Sequence, residues 1–447
     1  MEKIAIMADI ESMFYQVKVP EHHCKYIRFI WWPNGDIEKK PQEYEMNVHL
    51  FGAISSPSCA NFALHQTAAD NESKYGTETA NVLREDFYVD DLLKSLENDD
   101  KAVSMINNVQ KMCNSGGFNL TKVISNSKRV LESLPTSKLS KSMENFDILE
   151  PKWPIERALG VRWCIESDSF HFRINLSDTP LTRRGILSSI SSIYDPLGLV
   201  APFLLKGRKI LQEITSESSK WDDNVREEHV QEWDQWRRGL PALETLKVSR
   251  CYKPNDFGRS IHSSLHTFSD ASSTGYGVSC YLRQINERGE IHVSLVVGKS
   301  RVSPLKPITI PRLELTAATV AAKVAHMVKK QISIENLSEF YWTDSQIVLG
   351  YIYNETRRFR IFVANRVQQI RDYTNQNHWK YIETESNPSD AASRGLTIED
   401  SKNVQSWFNG PRSLWTKDDE WKINQPKIMV NNDDPETQNT THIKSNI

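Results

Sequence analysis

Two adjacent carboxylates interrupt an apolar β-strand pattern in FYVDDLL, residues 87–93. Asp90 and Asp91 stand there among aromatic, β-branched and leucine residues, whereas the other Asp-Asp doublets of the chain lie in polar surroundings. Burying two neighbouring carboxylates is unfavourable unless positive charge compensates them. Asp9 supplies a third acid at the end of the apolar strand predicted over 3–10, KIAIMADI. The pattern predicts either a site for divalent cations or a β-hairpin with an acidic tip.

A second set of acids occupies the ends of predicted elements in the C-terminal half. A strand ending in HTFSD delivers Asp270, and the Ala-rich helix that opens with PRLEL carries Glu314 in its first turn. The strand EFYWTD delivers Asp344, and NPSDAASRG begins a last helix with Asp390. The predicted order is therefore βββαβαβα, with each acid at the end of an element.

Acids at strand ends and helix starts are able to converge around a shared site. Four carboxylates around two Mg²⁺ ions, with Mn²⁺ as the alternative, would bind a phosphodiester and activate water. The other interpretation treats each acid by itself as a helix cap or a solvated strand end. An acid at the start of a helix stabilises that helix by about 0.3–1 kcal/mol. Four acids in this order favour the metal-dependent interpretation.

Composition excludes several classes of protein. The 447 residues are 39% hydrophobic and 25% charged, which is typical of a globular chain of roughly two to four domains. No apolar run is long enough for a membrane span, and the N-terminus has no secretory-signal pattern. The six cysteines form no CxxC pair, so a disulfide scaffold or structural zinc site is not expected. We expect an intracellular protein without a targeting signal.

The net charge of −2 does not exclude nucleic acid, because a basic surface can be local. TRRFRIFVANRV, residues 356–367, interleaves arginine with aromatic and aliphatic residues on a predicted helix. Such a face suits a nucleic-acid backbone with stacking nearby. The alternative is a solvated amphipathic helix whose phenylalanines pack inward.

The chain resembles a known family in the order of its motifs. ADIESMFYQV, LFGAISSPSCANF, FYVDDLL, GGFNLTKV and ALGVRW resemble the successive palm motifs of reverse transcriptases. The stretch RRGILSSISSIYDPLGLVAPFLLKGRKILQ resembles the connecting region of Bel/Pao-type LTR retrotransposon polyproteins. The later Asp-Glu-Asp-Asp order is similar to the catalytic set of ribonuclease H.

The resemblance implies an α/β and α+β multidomain chain. Its expected parts are a right-hand polymerase palm with partial fingers at 1–165, a mostly helical thumb or connection region at 166–252, a ribonuclease H-like βββαβαβα domain at 258–398, and a C-terminal extension at 399–447. The polar composition after about residue 425 predicts disorder there. The stretch 125–146 is also polar and predicts a flexible insertion.

The resemblance also assigns roles to individual residues. Asp9, Asp90 and Asp91 match the metal-binding carboxylates of the polymerase, and Asp270, Glu314, Asp344 and Asp390 match those of the ribonuclease. The remaining matches are Phe14 for the aromatic under the incoming sugar, Gly52 and Pro57 for the turn and helix start near template and nucleotide, Lys122 for the late palm lysine, and Leu159-Gly160 for the primer-grip hairpin. A core phenylalanine and an exposed surface lysine are the alternatives for Phe14 and Lys122.

The implied partners are an RNA template, a DNA primer, deoxynucleoside triphosphates and an RNA–DNA hybrid, in cytoplasmic particles and with no membrane. Family members carry a fingers segment before the first aspartate, whereas eight residues precede Asp9, so we expect impaired polymerisation. The alternative to an enzyme is an inactive or domesticated remnant that binds nucleic acid. An aspartic peptidase is not expected, because no Asp-Thr-Gly or Asp-Ser-Gly occurs.

Overall fold

The computed structural model describes residues 2–144, 155–158, 160–176, 179–217, 220–332, 334–417, 430 and 433–438. The chain forms two compact units. The first comprises Met1–Phe170 with Ser249–Cys251, and the second comprises His171–Val248 with Tyr252–Ile447. None of the described helices has the length and apolar character needed to cross a membrane.

The first unit is built on an antiparallel sheet covered by helices. Its strands are β1 (Ile4–Ile10), β2 (Arg28–Trp31), β3 (Gln42–Glu45), β4 (Phe87–Tyr88), β5 (Asp91–Leu96), β6 (Leu120–Ser125), β7 (Ile155–Ala158) and β8 (Val161–Cys164). Its helices are α1 (Glu21–Cys24), α2 (Ser56–Tyr75), α3 (Thr77–Glu85), α4 (Asp99–Ser115), α5 (Lys128–Glu132) and α6 (Lys141–Glu144), with 3₁₀ turns at Met13–Gln16, Pro33–Gly35 and Thr136–Lys138.

The main sheet of this unit has the strand order β4-β5-β1-β6. Alternate residues of β1 point into the core, so that Ile4, Ile6 and Ile10 are buried. Helix α4 begins where the Asn98 side chain accepts a hydrogen bond from the backbone N–H of Lys101, and its apolar stripe packs on the same core. The acid-bearing end of β1 is thereby fixed to a well-packed layer.

The stretch 125–146 is not a flexible insertion over its described residues, so this prediction is wrong. Ser127 caps α5 by accepting a hydrogen bond from the backbone N–H of Val130 at 3.3 Å. Val130 and Leu131 are buried in this short helix. Two buried apolar residues are enough to pack a polar segment against the core. The average composition of the stretch does not reveal them.

The second unit begins with three helices that precede its central sheet in the chain and are called the connection helices for that position alone. They are α7 (Arg183–Ser191), α8 (Ala201–Ser216) and α9 (Glu227–Gly239), followed by a 3₁₀ turn at Leu240–Thr245. The short strands β9 (Ser169–His171) and β10 (Lys247–Ser249) lie where the chain passes between units. Trp236 is buried and donates a hydrogen bond from its indole N–H to the Phe203 carbonyl at 2.8 Å. The tryptophan-rich stretch thus packs these helices together.

A five-stranded sheet forms the centre of the second unit, in the order β13-β12-β11-β14-β15. The strands are β11 (Ser260–Ala271), β12 (Gly275–Asn286), β13 (Ile291–Val302), β14 (Ser338–Thr343) and β15 (Trp379–Tyr381). The helices are α10 (Ile310–Gln331), α11 (Gln346–Tyr353), α12 (Ile361–Tyr373), α13 (Ser389–Arg394) and α14 (Ser401–Asn409), with 3₁₀ turns at Gln376–His378, Thr384–Ser386 and Arg412–Trp415. Strand β11 pairs antiparallel with β12 and parallel with β14.

Two helices connect β14 to β15 where the predicted order has one. Helix α11 ends at Tyr353 because Asn354 adopts an extended backbone conformation. The Asn354 side chain donates to the carbonyl of Arg357 and accepts from its N–H, which stabilises the break. The arginine-rich segment 357–360 therefore forms a connection, and the amphipathic pattern resumes in α12.

The connection helices pack directly on the sheet through a close backbone approach. Gly198 has φ +69°, and a Cβ there would stand 1.8 Å from the carbonyl oxygen of Gly298 in β13. The Gly298 N–H donates to the Leu197 carbonyl at 2.9 Å, and the buried Trp407 of α14 covers the same point. Both glycines are required by this contact.

The expectation of disorder after about residue 425 is wrong for residues 433–438. Glu436 is 7% exposed and forms an ion pair with Arg312 of α10. The Asp434 carboxylate accepts hydrogen bonds from the Tyr351 hydroxyl at 3.1 and 2.9 Å. Charge pairing and hydrogen bonding hold this segment in place, and an argument from apolar burial alone does not detect them.

Candidate active sites

Strand pairing in the first unit brings together two of the three acids predicted there. In the antiparallel pair β1–β5, Asp9 stands directly opposite Asp91. Residues opposite each other in such a pair have Cα atoms roughly 4.5–5.5 Å apart and project to the same face. The two carboxylates therefore share one side of the sheet edge.

Asp90 lies in the tight turn that joins β4 to β5. Its carbonyl accepts a hydrogen bond from the Ile10 N–H at 2.9 Å, which fixes the turn beside the end of β1. Val89, the residue before it, has φ +58°. A β-branched residue in the left-handed region is strained, and such strain concentrates at functional sites.

Electrostatic repulsion marks this cluster. Burial raises the pKa of Asp91, and the neighbouring Asp90 and Asp9 raise it further. The Lys122 ammonium group lies 3.1 Å from the Asp9 carboxylate and is the positive group that lowers the pKa of Asp91. Lys122 is largely exposed, as the surface-lysine interpretation predicts, and it also contacts one acid of this cluster.

The other residues predicted for the polymerase occupy varied places. Phe14 is buried at 8% exposure, in the core, with its ring centroid 4.8 Å from that of the exposed Phe51. Gly52 has φ +88° in an open turn, and Pro57 lies in the first turn of α2. Gly160 has φ +86° between β7 and β8, whereas Leu159 lies outside the described residues.

In the second unit, parallel pairing brings two acids to one sheet end. Ser269 of β11 pairs with Thr343 of β14, so Asp270 and Asp344 follow at adjacent strand ends. Asp270 is 5% exposed and accepts a hydrogen bond from the Ser393 hydroxyl of α13. Two neighbouring parallel strands thus supply the centre of this cluster.

Glu314 approaches the strand ends from α10. It is the fifth residue of this helix, so its predicted place in the first turn is corrected to the second. The Ser345 hydroxyl donates to the Glu314 carboxylate at 2.6 Å. The same hydroxyl accepts a hydrogen bond from the Val348 N–H and caps α11, which ties Glu314 to the residue after Asp344.

Asp390 completes the set from α13, where the Arg394 guanidinium donates to its carboxylate. The Asn387 amide donates to the Ser269 carbonyl at 3.1 Å and approaches the Asp344 carboxylate at 3.4 Å. The start of α13 is therefore held against the ends of both central strands.

The acids of the second unit strongly affect one another. Burial raises the pKa of Asp270 to about 6, and the charge of Asp344 adds to this shift. Burial raises the pKa of Glu314 to about 7, and Asp344 and Asp270 contribute. The pKa of Asp344 is also raised, mainly by burial. These shifts agree with the strand pairing and hydrogen bonds that bring the four carboxylates to one end of the sheet.

Other residues, outside the predicted acids, lie close enough together to hold a single metal ion. Among the described residues, groups of His, Cys, Asp or Glu whose ligand atoms all lie within 4.8 Å are centred on His229, one with Glu213 and Glu232, the other with Glu217 and Glu228. Neither group includes a predicted acid. The sheet-end carboxylates are therefore spread more widely than a single closed ion site.

Part of the chain matches a known protein family. Residues 182–345 match a family described as the Pao retrotransposon-like RNaseH-like domain. The Bel/Pao resemblance is confirmed. No curated protein sequence matches the chain.

A solved structure is also similar, that of the foamy viral protease-reverse transcriptase dRH in complex with double-stranded DNA. The TM-score is 0.50 and the sequence identity is 14%, so this likeness concerns the fold alone. It covers 86% of this chain and 57% of the viral one, so the chain spans less than two thirds of its neighbour's length.

The Pao-type match begins in the connection helices and ends at Ser345. It therefore includes Asp270, Glu314 and Asp344, and Asp390 lies beyond it. Sequence reasoning did not identify the supporting hydroxyls of Ser345 and Ser393. A serine directly before a helix is a capping signal for Ser345, whereas nothing local distinguishes Ser393.

Proposed function

We propose that the Pao-type domain hydrolyses the RNA strand of RNA–DNA hybrids in a ribonuclease H-type reaction. The observation that carries this proposal is the shared neighbourhood of Asp270, Glu314, Asp344 and Asp390 at one end of a mixed sheet. In this proposal the nuclease domain spans 258–398, with a connection region at 166–252.

The donor set fits divalent cations. Carboxylate oxygens are the ligands that Mg²⁺ and Mn²⁺ accept, and three of these acids carry raised pKa values that a nearby cation would reverse. Asp270, Glu314, Asp344 and Asp390 are the residues that would hold the ions. When bound, two such ions supply an activated water and stabilise the leaving oxygen.

The surrounding residues position the carboxylates. Ser345 orients Glu314, and Ser393 orients Asp270, each through a donated hydrogen bond. The Arg394 guanidinium donates a hydrogen bond to the Asp390 carboxylate within α13 and so orients this side chain. These contacts restrict rotamers and so reduce the reorganisation needed when substrate arrives.

The basic face of α12 supports a nucleic-acid substrate. The Arg366 guanidinium lies 3.5 Å from the centroid of the Phe362 ring. Beside it, Arg301, Thr316, Lys323, Asn365 and Gln369 help to line a groove of about 300 Å³. Cationic and amide groups of this kind bind phosphate and sugar oxygens.

The test is cleavage of an RNA–DNA hybrid carrying a labelled RNA strand, with Mg²⁺ or Mn²⁺. We expect Asp344→Asn to abolish cleavage while the hybrid still binds. Asp372→Asn, at an exposed position of α12, is the matched control and should leave cleavage unchanged. Cleavage that survives Asp344→Asn would contradict the proposal, and binding without any wild-type cleavage would support the alternative of an inactive remnant.

A second candidate function rests on the opposition of Asp9 and Asp91. We infer that the first unit contains a reverse-transcriptase palm at 1–165, with Asp9, Asp90 and Asp91 as ligands of divalent cations. Phe14, Gly52 and Lys122 would contact the incoming deoxynucleoside triphosphate. Addition of deoxynucleotides to a DNA primer on an RNA template tests this, because Asp91→Asn should abolish extension and leave hybrid cleavage intact. Equal extension by both proteins would refute it.

A further inference from the structure

An acidic segment lies on the arginine-rich side of the second unit. This segment comprises residues 433–438, DDPETQ. The side on which it lies is called the arginine face and is defined by Arg312 of α10, Arg358 and Arg360 of the connection before α12, and Arg366 of α12.

The strongest contact is an ion pair between the two. The Arg312 guanidinium donates two hydrogen bonds to the Glu436 carboxylate, from Nε at 2.6 Å and from Nη2 at 3.0 Å. The Glu436 side chain is 9% exposed and that of Arg312 is 33% exposed. Such a two-pronged contact is also the geometry in which arginine binds phosphate.

Backbone hydrogen bonds align the acidic segment along the connection. The Arg360 N–H donates to the Glu436 carbonyl at 2.8 Å, and the Gln438 N–H donates to the Arg358 carbonyl at 2.8 Å. Phe359 and Thr437 form an antiparallel β-bridge between these bonds. The segment therefore pairs with the connection through one antiparallel β-bridge.

Two arginines of the arginine face contact the same aromatic ring. The guanidinium groups of Arg312 and Arg366 lie over the Phe362 ring, 4.9 Å and 3.5 Å from its centroid. The groove that contains Arg366 continues this positive surface to Lys323 and Arg301. A surface of this length fits a polyanion rather than a single carboxylate.

Polar contacts hold the acidic segment, and besides those above the Tyr351 hydroxyl donates hydrogen bonds to the Asp434 carboxylate at 3.1 and 2.9 Å. The segment contributes no apolar side chain to the buried core, and Asp433, Pro435 and Gln438 are exposed. A segment held by an ion pair and edge hydrogen bonds opens more readily than packed elements do. High salt or a competing anion should therefore displace it.

We propose that the arginine face binds the phosphate backbone of nucleic acid and that the acidic segment competes for it within the same chain. Glu436 occupies the Arg312 fork that a phosphate would otherwise take. This inference deepens the proposed nuclease function, because it assigns a backbone-binding surface and its internal competitor. It rests on that function only for the choice of hybrid as substrate.

Hydrogen–deuterium exchange on the wild-type chain tests the competition. A saturating RNA–DNA hybrid, and separately heparin as a polyanion without bases, is added in EDTA so that no hydrolysis occurs. We expect the Arg360 and Gln438 amides to exchange faster in the complex, because release of the acidic segment removes the Glu436 carbonyl from Arg360 and separates the Gln438 amide from the Arg358 carbonyl. Unchanged or slower exchange at both amides would overturn the proposal.

Binding by variants provides the second measurement. We expect Glu436→Gln to bind the hybrid roughly fivefold more tightly at moderate salt. The dependence of its binding constant on salt concentration should be steeper by the equivalent of about one phosphate contact. Glu287→Gln removes the same charge from an exposed turn of the second unit and should bind as the wild type does. Arg312→Ala in the Glu436→Gln background should abolish the gain.

Binding of Glu436→Gln that equals that of Glu287→Gln would refute the competition. Both experiments measure binding in EDTA, so they do not depend on hydrolysis. Loss of cleavage in Asp344→Asn therefore tests the nuclease, whereas the Glu436 variant tests the internal competitor. The exchange measurement uses no variant and remains decisive if a substitution perturbs folding.

Discussion

Replacement of Asp270 by asparagine should stabilise the metal-free protein. Asp270 is 5% exposed, so burial raises its pKa, and the charges of the neighbouring Asp344 and Asp390 raise it further. Asparagine has nearly the same shape, and its carbonyl oxygen still accepts the hydrogen bond from Ser393. The substitution therefore removes a destabilising charge and keeps the local packing.

The magnitude follows from the displaced pKa. Folding raises the pKa of Asp270 from 3.8 to about 6, a difference of about 2.2 pH units. At about 1.4 kcal/mol per pH unit, this corresponds to roughly 3 kcal/mol at neutral pH as an upper bound. The amide NH₂ group of asparagine must also be buried, and this cost offsets part of the gain. We therefore expect Asp270→Asn to raise the free energy of unfolding by about 1–2 kcal/mol.

The sign of the pH dependence is also determined. Between pH 3.8 and about 6 the folded state binds more protons at Asp270 than the unfolded state does. The contribution of this group to stability therefore falls as pH rises through that window and is constant above it. The advantage of Asp270→Asn should be present at pH 7.5 and should disappear near pH 4.

Thermal unfolding in EDTA at pH 7.5 and pH 4 measures both effects. Asp372→Asn, on the exposed side of α12, is the control for a simple change in net charge. Adding Mg²⁺ should raise the melting temperature of the wild type and raise that of Asp270→Asn much less. A variant that melts below the wild type at pH 7.5 would refute the argument from charge repulsion.

Three further predictions concern other positions. Gly198→Ala should lower the free energy of unfolding by about 3 kcal/mol or more in chemical denaturation, because its Cβ would stand 1.8 Å from the Gly298 carbonyl. Gly289→Ala, with φ +77° and open space around it, should cost only about 1 kcal/mol. Calorimetry should show Mg²⁺ binding weakening as pH falls through about 7, where Glu314 becomes protonated, and Glu314→Gln should lose that dependence. Lys122→Met should raise the pKa of Asp91, measured by carboxyl carbon NMR, because the ammonium group lowers it; an unchanged value would contradict this effect of the Lys122 charge on Asp91.

Local patterns predict the elements that carry the acids. The apolar alternation of 3–10 and the acid doublet at 90–91 follow from residue order, and the structure joins them by pairing β1 with β5. The strand ends at Asp270 and Asp344 are equally local features. Their convergence depends on parallel pairing between strands about seventy residues apart, which the order of elements supports and no single motif fixes.

Long-range contacts between polar groups are what the sequence does not reveal. The approach of Gly198 to Gly298 joins residues a hundred positions apart, and each glycine alone has the pattern of an ordinary turn or strand residue. Glu436 lies in a stretch whose composition predicts disorder, yet its carboxylate pairs with Arg312. Composition measures the capacity to bury apolar surface and contains no information about such pairings.

The two acid clusters differ in how their charge is balanced. Asp9 has an ammonium group at 3.1 Å, so the cluster of Asp9, Asp90 and Asp91 retains a positive partner without metal. Asp270 and Glu314 are held by the hydroxyl groups of Ser393 and Ser345, which fix orientation and carry no charge, whereas the Arg394 guanidinium pairs with Asp390. Because burial raises the pKa of both Asp270 and Glu314, a divalent cation should relieve more repulsion there, and metal-dependent stabilisation should be greater in the second unit.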